Sequence, residues 1–415
     1  MATLKPVRGT QDVLPGENRQ LRHVERVAFD VAELYGYGEI STPIFEFTDV
    51  FSRTLGDTSD IVTKEMYSFK DRGGEGITLR PEGTAGVVRA VMSGGLSQDL
   101  PLKFFYRGPM FRYERPQKGR RRQFGQVGVE LIGVAGPLAD IEVIALGHQF
   151  LEQLGVGANV TLELNTLGDT TSRAAFRDRL VDYLQGYAVK LSDDSRERLR
   201  RNPLRILDSK NEGDRKVIEN APNLSECLNR ESRVFFDNVK SGLDKLGIAF
   251  EINHRLVRGL DYYCHTAFEF TTNDLGAQGT VLAGGRYDGL FEQMGGRETP
   301  GIGWAAGVER LALLTGETQP APRLVAVVPV GEAAEAAALD LTQELRRSGV
   351  AVDLGYSGNV GKRMKRAGKL QARWAVLLGD DELARGAATV RDMDSGVQSE
   401  VSLDKIAEHL SQSGA

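Results

Sequence analysis

The 415-residue sequence is poor in the residues that cross-link small domains or hold structural metals. It contains two cysteines and five histidines, with no C-x-x-C pair and no H-E-x-x-H spacing. A disulfide framework and a zinc site are therefore disfavoured, and a reducing compartment is expected. No apolar run is long enough to span a membrane, and residues 1–6 lead into charged sequence without an apolar signal region. We expect a cytoplasmic protein with no membrane partner and no metal ion held by its own side chains.

Basic charge is not in excess either. Lys and Arg number 52 against 57 Asp and Glu, which leaves a formal net charge of −5. This total disfavours a nucleic-acid partner, so any such partner must be recognised through local patches. Two patches exist: seven Arg or Lys lie between Arg107 and Arg122 beside the single acid Glu114, and six lie between Asp353 and Asp380 without an acid.

The second patch has the i, i+3 and i, i+4 spacings that place several cations on one helix face. Such a stripe suits the phosphates of a nucleic acid. A solvated helix whose charges are compensated by nearby carboxylates fits the pattern equally well. Its members are Lys362, Arg363, Lys365, Arg366, Lys369 and Arg373.

The length predicts two or three domains at roughly 150 residues each. A polar segment with two prolines, residues 315–322, predicts a linker. Beyond it, residues 323–415 follow a βαβαβ pattern, which predicts a small α/β domain with a parallel or mixed sheet. Before it, residues 1–170 and 248–314 predict an α+β domain on an antiparallel sheet, and residues 171–247 predict a helical insertion.

Hydrophobic periodicity places the individual elements. Strands are predicted at Phe104–Glu114, Arg122–Ile132, Val160–Asn165, Thr266–Thr272, Leu324–Val330, Val350–Leu354 and Trp374–Leu378. Helices are predicted at Arg19–Leu34, Leu138–Leu154, Arg173–Leu184, Glu231–Leu246 and Glu332–Ser348, and the basic stripe is predicted to be a further helix.

The first basic patch predicts a long hairpin with a cationic tip, because Pro116 and Gly119 separate two strand-like arms. On the first arm, the alternation of side chains brings Arg112 and Glu114 together. On the second arm it predicts a polar face and an apolar face, made respectively by Phe124, Gln126, Gly128 and Glu130 and by Val127, Val129 and Leu131. The polar face suits a ligand with a phosphate and a heteroaromatic ring, since a guanidinium matches phosphate oxygens. A solvated basic hairpin is the alternative.

Four further segments place polar groups beside glycine or proline. Each is a weak signal alone, because glycines often serve turns and packing, and tyrosines often belong to a core. The last segment places Arg310 on a helix that enters the same site. The segments are Thr78–Thr84, Arg258–Tyr263, Ala283–Leu290 and Gly301–Leu311.

Taken together, these segments resemble the bacterial histidyl-tRNA synthetases, a family of class II aminoacyl-tRNA synthetases. The resemblance runs nearly end to end, and two segments, Leu256–Tyr263 and Gly284–Leu290, match stretches that are specific to the histidine enzyme. The other matching segments are Val7–Pro15, Ile40–Pro43, Phe105–Glu130 and Gly301–Leu311.

The resemblance implies ATP-dependent attachment of L-histidine to tRNA(His) through a histidyl-adenylate, with Mg²⁺ on the phosphates of ATP. It also implies a homodimer with the segment around Pro43 at the interface. By position, Arg112 is expected at the α-phosphate and Arg310 at the γ-phosphate. Phe124 is expected to stack on adenine, with Glu114 near the nucleotide.

Arg258 is expected beside the α-phosphate and the reacting carboxylate, where other class II members use a metal. For the amino acid, the resemblance and the need for acceptors assign Glu82, Thr84 and Gln126 to the ammonium group. Glu130 and Tyr263 are assigned to the two imidazole nitrogens. The full expected histidine site is Glu82, Gly83, Thr84, Arg112, Gln126, Glu130, Arg258, Tyr262, Tyr263 and Tyr287.

For tRNA, the resemblance assigns Arg115 and Gln117 at the hairpin tip to the acceptor end. It makes the C-terminal domain an anticodon-binding domain, whose basic helix (Lys362, Arg363, Lys365 and Arg366) is the phosphate contact. One departure is Cys264 with His265, where relatives often carry Asn-Arg. The thiol would be either an oxidation-sensitive group near the site or a packed side chain.

Two alternatives compete with this assignment. One is a catalytically inactive relative that serves histidine biosynthesis beside a phosphoribosyltransferase; such proteins lack the anticodon domain and lose key arginines. The other is a class II synthetase for threonine, proline or glycine. Retention of Arg112, Arg258 and Arg310 disfavours the first alternative, and the segments around Arg258 and Arg286 disfavour the second.

Overall fold

The computed structural model describes residues 3–54, 61–117, 119–209, 211–256, 262–276, 279–316, 321 and 323–412. The chain divides into two compact units, Met1–Gln319 and Pro320–Ala415, so the division falls inside the segment predicted to be a linker. None of the described helices is long and apolar enough to cross a membrane.

Most of the first unit is an α+β fold. Its strands are β1 (Gly38–Glu39), β2 (Phe45–Phe47), β3 (Tyr67–Lys70), β4 (Gly76–Leu79), β5 (Leu102–Phe111), β6 (Gln123–Ile132), β7 (Thr161–Thr166), β8 (Glu251–Ile252), β9 (Cys264–Thr271), β10 (Thr280–Arg286) and β11 (Gly301–Gly307). Its helices are α1 (Pro15–Leu34), α2 (Thr48–Ser52), α3 (Thr84–Ser93), α4 (Pro137–Gln153), α5 (Thr170–Gln185), α6 (Asp193–Arg201), α7 (Glu212–Ile218), α8 (Arg230–Lys245), α9 (Leu290–Gln293) and α10 (Val308–Leu314).

Eight strands form the main sheet in the order β1-β5-β6-β11-β10-β9-β7-β8. The pairs inside it are antiparallel, and only the edge pairs β1·β5 and β7·β8 are parallel. The predicted antiparallel core of this domain is thus confirmed. Strands β2, β4 and β3 form a separate small antiparallel sheet.

The two faces of β6 differ as the alternation predicted. Val127, Val129 and Leu131 are buried in the main hydrophobic core, to which α1, α4, α8 and α10 contribute. Gln126 faces the other side and lines a cavity. A second apolar cluster, which includes Tyr106, Met110 and the face of α3, lies on that other side. The main sheet therefore has a dry face and a face that carries the cavity.

The hairpin β5–β6 is shorter at its tip than the sequence predicted. Regular pairing ends at Phe111, opposite Gln123, and one further hydrogen bond joins Arg112 N to Arg122 O at 2.9 Å. The chain then closes in a tight bridge between Gln117 and Arg120. Pro116, which has no N–H to donate, and Gly119, which has a φ of +72°, explain why the ladder does not continue.

The predicted insertion contains no strand within its described residues, 171–209 and 211–247. Helices α5 to α7 enclose a small core of their own around Phe176, Leu180 and Ile206. Helix α8 differs, because its apolar residues Phe236 and Val239 are buried in the main core. The insertion is therefore anchored in the main core through its last helix.

The second unit contains the predicted βαβαβ pattern followed by a hairpin. Its elements are β12 (Val325–Val330), α11 (Glu332–Arg347), β13 (Val352–Leu354), α12 (Val360–Lys369), β14 (Trp374–Gly379), α13 (Asp380–Ala384), β15 (Ala387–Asp392), β16 (Gln398–Ser402) and α14 (Ile406–Gln412). The sheet order is β13-β12-β14-β15-β16, with the first three strands parallel and the last two antiparallel. The final two strands were not predicted.

The basic stripe does form helix α12, but two of its predicted phosphate contacts are used inside the unit. Arg363 is 7% exposed and donates to the carbonyl of Pro329 and to Glu335. Arg366 makes a two-pronged ion pair with Asp353, at 2.8 and 2.7 Å. The expectation that all four basic residues face a ligand is therefore wrong for Arg363. Lys362 and Lys365 are exposed.

Candidate active site

A cavity of about 250 Å³ opens on the polar face of the main sheet. It gathers side chains from the hairpin, from the start of α3, from β10 and β11 and from α10. Its lining residues are Glu82, Thr84, Arg112, Glu114, Gly119, Arg120, Arg121, Phe124, Gln126, Tyr262, Tyr263, Thr280, Val281, Leu282, Ala283, Trp304, Ala305, Gly307, Glu309 and Arg310.

We call the part of the cavity formed by Arg112, Glu114, Phe124 and Arg310 the arginine end. The Arg112 guanidinium carbon lies 5.4 Å from the centre of the Phe124 ring, and its Nε donates to the carbonyl of Pro81 at 2.9 Å. Arg310 Nε donates to the carbonyl of Thr280 at 2.9 Å. These backbone bonds fix both arginines and leave part of each guanidinium directed at the cavity. The sequence analysis placed all four residues together.

Two more arginines of the hairpin line the same end, where the sequence analysis assigned no ligand role to them. Arg120 donates to Glu114 at 2.8 Å and is 37% exposed. Burial and then the charge of Arg120 lower the pKa of Arg310, while Glu114 opposes this. Arg121 pairs with Glu17 at 2.6 Å. The run of basic residues was the available signal, but the side toward which each one points depends on partners distant in sequence.

We call the opposite part of the cavity, with its floor, the tyrosine end. Its centre is Glu130, which is fully buried beneath the lining residues. Thr84 Oγ1 donates to one carboxylate oxygen at 2.6 Å and the Tyr287 hydroxyl donates to the other. Burial raises the pKa of Glu130 to about 8, although both hydrogen bonds oppose the shift.

A glycine makes room for this carboxylate. Gly303 on β11 stands opposite Glu130 on β6, and a Cβ atom there would lie 1.9 Å from Glu130 Oε2. No side chain fits in that space. The glycine-rich segment of β11 therefore serves close approach to a buried acid, which is one of the two uses that its composition allowed.

Glu82 and Gln126 present acceptors above this floor. Both carboxylate oxygens of Glu82 accept backbone N–H groups at the start of α3, from Thr84 at 2.6 Å and from Ala85 at 2.9 Å. Burial raises the pKa of Glu82. Gln126 Oε1 is buried and has no hydrogen-bond partner among the described residues. An unsatisfied buried acceptor that lines a cavity suits a ligand that brings a donor.

Three tyrosines close the tyrosine end. Tyr262 and Tyr263 line the cavity with ring centres 4.6 Å apart, and Tyr287 packs edge-on against Tyr262 at 6.0 Å. A Cβ atom at Gly285 would lie 2.8 Å from the ring of Tyr263. The predicted tyrosine cluster is therefore brought together, with Tyr287 bonded to Glu130 and absent from the lining.

Tyr106 was missed by the sequence analysis, and Gly83, one of the predicted histidine contacts, packs beside its ring. The ring of Tyr106 fills the space beside two glycines, since a Cβ atom would lie 2.2 Å from it at Gly83 and 2.4 Å from it at Gly128. Gly83 therefore packs on a buried ring and is not among the lining residues. The alternation along β5 placed Tyr106 on the same face as Arg112 and would have identified it.

The remaining predicted residues lie in three different situations. Arg258 lies outside the described residues. Arg115 and Gln117 are exposed at the hairpin tip, away from the buried floor. Cys264 is only partly exposed, and burial raises the pKa of its thiol to about 12, so the thiol stays protonated and is a poor nucleophile. The packed alternative for this cysteine is thus favoured.

The two ends offer complementary chemistry. Fixed guanidinium groups beside an aromatic ring match phosphate oxygens and a heteroaromatic base. Buried carboxylates, an unsatisfied amide oxygen and phenol groups match a small molecule with an ammonium group and a polar ring. Phe124 and Glu130 are six residues apart on β6, which spans about 20 Å at the usual rise of a strand. One sheet face can therefore hold both ligands side by side.

Comparisons with known proteins agree with this chemistry. A family model for histidyl-tRNA synthetase matches residues 9–311, and one for an anticodon-binding domain matches residues 324–413. The chain is 63% identical over 413 residues to a histidine–tRNA ligase of Rhodospirillum rubrum, covering 99% of this chain and 100% of that one. It is 57% identical over 410 residues to a histidine–tRNA ligase of Gluconacetobacter diazotrophicus, covering 99% of each.

A solved structure shows the same likeness in three dimensions. The histidyl-tRNA synthetase of S. aureus superposes with a TM-score of 0.83 at 36% identity, covering 98% of this chain and 99% of that one. The match covers both the first unit, with its main sheet, and the C-terminal unit. The chain therefore belongs to the histidyl-tRNA synthetase family of class II aminoacyl-tRNA synthetases.

Proposed function

We propose that the protein attaches L-histidine to tRNA(His) in an ATP-dependent reaction that passes through a histidyl-adenylate. The observation that carries the proposal is the joint cavity, with fixed arginines at one end and buried acceptors at the other. Family membership gives the amino acid, and enzymes of this class use ATP. The geometry accounts for why both substrates meet on one face of the sheet.

In the first step a carboxylate oxygen of histidine attacks the α-phosphorus of ATP, and pyrophosphate leaves. Negative charge collects on the α-phosphate in the transition state, so fixed cations directed there lower the barrier. Arg112 has this role in the proposal, because its Nε bond to Pro81 holds the guanidinium in place. Arg310 binds the γ-phosphate, and Phe124 stacks on adenine. Arg258 keeps its proposed place beside the reacting groups, although it lies outside the described residues.

Recognition of histidine is proposed to occur at the tyrosine end. The unsatisfied Gln126 Oε1 accepts from the ammonium group, with Glu82 and Thr84 nearby. Glu130 and Tyr263 pair with the imidazole nitrogens. Because Thr84 and Tyr287 already donate to Glu130, its carboxylate is oriented before the substrate arrives. An apolar isostere would leave these buried groups unpaired and would bind poorly.

Magnesium is proposed to arrive with ATP as part of the substrate. Two carboxylates line the cavity here, Glu114 at the arginine end and Glu309 next to Arg310 on α10, and oxygen donors of this kind suit Mg²⁺. Glu309 also accepts the Gly125 N–H at 2.9 Å, which ties α10 to the hairpin.

In the second step the histidyl group moves to the terminal ribose of the tRNA. We propose that Arg115 and Gln117, exposed at the hairpin tip, contact the acceptor end. In the C-terminal unit, Lys362 and Lys365 are the better candidates for anticodon-stem phosphates, since Arg363 and Arg366 are bound to carboxylates. The net charge of −5 is no obstacle, because both basic segments are local.

We propose that the protein forms a homodimer with the small sheet β2-β4-β3 at its interface. Its strand β2 has an inverted pattern, with Phe45 and Phe47 exposed by 55% and 57% and Glu46 buried in an ion pair with Arg89. Phe69 on β3 is exposed by 52%. Exposed aromatic rings next to the segment around Pro43 are typical of a protein interface. A cytoplasmic location remains a prediction from the sequence.

The exchange of labelled pyrophosphate into ATP tests the proposal. With a panel of amino acids and MgATP, exchange should occur with histidine and not with threonine, proline or glycine. Exchange driven by another amino acid would reassign the substrate. No exchange with any amino acid, in a folded protein that still binds ATP, would favour the inactive relative instead.

A further inference from the structure

A residue of the helical insertion forms a hydrogen bond with the backbone of the tyrosine end. Arg173, in the first turn of α5, donates from Nη1 to the backbone carbonyl of Tyr263 at 2.7 Å. On the other side, Asn165 of β7 donates from Nδ2 to the carbonyl of Leu256 at 2.9 Å. Neither Arg173 nor Asn165 is among the residues that line the cavity. The two carbonyls that they bind belong to the first and last residues of the histidine-specific segment, Leu256–Tyr263.

Several hydrogen bonds fix the start of α5, so the Arg173 side chain begins from a fixed backbone position. Asp169 caps α5 by accepting from Ser172 N at 2.7 Å, and its other oxygen accepts from Asn229 Nδ2 at 2.7 Å. Asn229 in turn caps α8, accepting from Ser232 N at 2.8 Å. The two cap residues also donate in exchange, from Asp169 N to Ser232 Oγ and from Asn229 N to Ser172 Oγ, at 3.2 and 3.1 Å.

This exchange of caps joins the starts of α5 and α8 into one unit, and α8 is packed in the main core. The turn before α5 is bonded to β9 as well, through Leu167 N to His265 O at 2.6 Å and His265 N to Gly168 O at 2.8 Å. Arg173 therefore extends from a fixed base.

The bonded carbonyl belongs to a residue whose ring position is critical. Tyr263 lines the cavity, its ring lies against Gly285, and it contacts the ring of Tyr262. The ring of Tyr263 can keep its place only if its backbone does, because the main-chain position sets where the side chain begins. A guanidinium that donates to the carbonyl restrains that backbone with a charge-assisted hydrogen bond.

We propose that Arg173 is a positioning residue for histidine binding, acting from the insertion through the Tyr263 carbonyl. The proposal rests on the proposed function, since it takes Tyr263 to be a histidine contact. It differs from a general stabilising role in one respect. Loss of Arg173 should weaken the binding of histidine while the arginine end, and with it the binding of ATP, keeps its strength.

The test uses the full-length protein with three variants. Arg173→Met keeps the length of the side chain without its donors, and Arg173→Lys restores a cationic donor. Arg177→Met is the matched control, because Arg177 lies one turn further on α5 and is exposed. Pyrophosphate exchange gives kcat and the KM for each substrate, calorimetry gives the Kd for histidine, and thermal unfolding gives Tm.

Arg173→Met should raise the KM and Kd for histidine by about tenfold or more, with the KM for ATP within about twofold of wild type. Arg173→Lys should recover part of the loss, and Arg177→Met should match wild type. Unchanged histidine affinity in Arg173→Met, or equal losses for histidine and ATP, would overturn the proposal.

Should Arg173→Met fail to fold, Arg173→Leu takes its place as a second variant without donors, since a raised histidine KM at normal Tm supports the proposal and a normal KM contradicts it. A wild-type protein without histidine-dependent exchange would refute the proposed function, which separates that failure from the failure of this inference.

Discussion

The two ends of the cavity differ in what their charged groups already hold. At the tyrosine end, both oxygens of Glu130 are occupied by hydroxyl donors from the protein, and the residue has no exposed surface. At the arginine end, Arg112 is 22% exposed and uses its Nε for one carbonyl. The Glu130 carboxylate is thus satisfied within the protein, whereas part of the Arg112 guanidinium still faces the cavity.

This difference fits the proposed placement of ATP at the arginine end and of histidine at the tyrosine end. A phosphate chain is strongly anionic and flexible, so fixed cations that face an open cavity suit it. Histidine is small and differs from other amino acids only in its ring, so its site must hold each polar group in one orientation before binding. Internal hydrogen bonds at the tyrosine end supply that orientation. Variants at each end should therefore fail in different kinetic constants.

The largest effect is expected from Arg112→Met. Removing the cation that we propose for the α-phosphate should lower kcat for pyrophosphate exchange by about 10²–10³-fold, because charge stabilisation there acts in the transition state. Arg107→Met is the control, since Arg107 lies on β5 five residues before Arg112 but is 44% exposed and paired with Glu39. A variant at Arg112 with near-normal kcat would remove that residue from its catalytic role.

The second largest effect is expected from Glu130→Gln, which should lower the affinity for histidine. The amide NH₂ would face a hydroxyl that donates to a carboxylate oxygen in the wild type, so that hydrogen bond must reverse its direction or be lost. We expect the histidine Kd to rise by about 10- to 100-fold in calorimetry, with the ATP Kd unchanged. Glu309→Gln changes a buried carboxylate that lines the cavity next to Arg310 and should leave the histidine Kd unchanged. Equal losses for both ligands in Glu130→Gln would erase the distinction between the two ends.

The raised pKa of Glu130 should also affect how the stability of the protein depends on pH. Burial raises the pKa of Glu130 from 4.5 to about 8, so its protonated form favours the folded state. That contribution is complete below the unfolded pKa and is lost as the pH rises through the folded pKa. Between about pH 6.5 and 7.5, wild type should lose roughly 1.4 kcal/mol relative to Glu130→Gln. Denaturant unfolding of both proteins measures this, and parallel stabilities across the range would contradict the shifted pKa.

The smallest effect is expected from Tyr287→Phe. The variant removes one of two donors to Glu130 and leaves Thr84 in place. Histidine KM should rise about fivefold, with ATP KM and kcat close to wild type. Tyr183→Phe removes a hydroxyl bond to the Val217 carbonyl inside the insertion and serves as the control. A larger rise in ATP KM than in histidine KM would show that Tyr287 does not act through the tyrosine end.

Much of this division was predictable from the sequence, because it lies on two strands with strict alternation. The period of two along β6 put Phe124 and Gln126 on the ligand face and Val129 in the core, and the structure agrees. Resemblance to the family then placed Glu130 and Tyr287, which are 157 positions apart, in one site, and in the structure they meet in a hydrogen bond. Periodicity is reliable here because one face of the sheet is dry.

What the sequence did not predict depends on pairings between distant elements. Arg363 looked like its neighbours on α12, and only the folded position of Glu335 on α11 shows that its charge is used. The sequence analysis treated Arg120 only as one of the basic residues of the hairpin tip. In the structure its ion pair with Glu114 holds it in the lining of the cavity. The role of Arg173 is of the same kind, because a bond to a backbone carbonyl has no residue pattern.

Gly303 has a consequence for how the gene tolerates change. Every other amino acid begins its side chain with a Cβ atom, and at this position that atom would fall on the carboxylate of Glu130. In a saturation screen read by growth, position 303 should therefore be as intolerant as a catalytic arginine, even though its residue lies outside the set that lines the cavity. A missense variant there would abolish histidine charging through a residue outside the cavity lining.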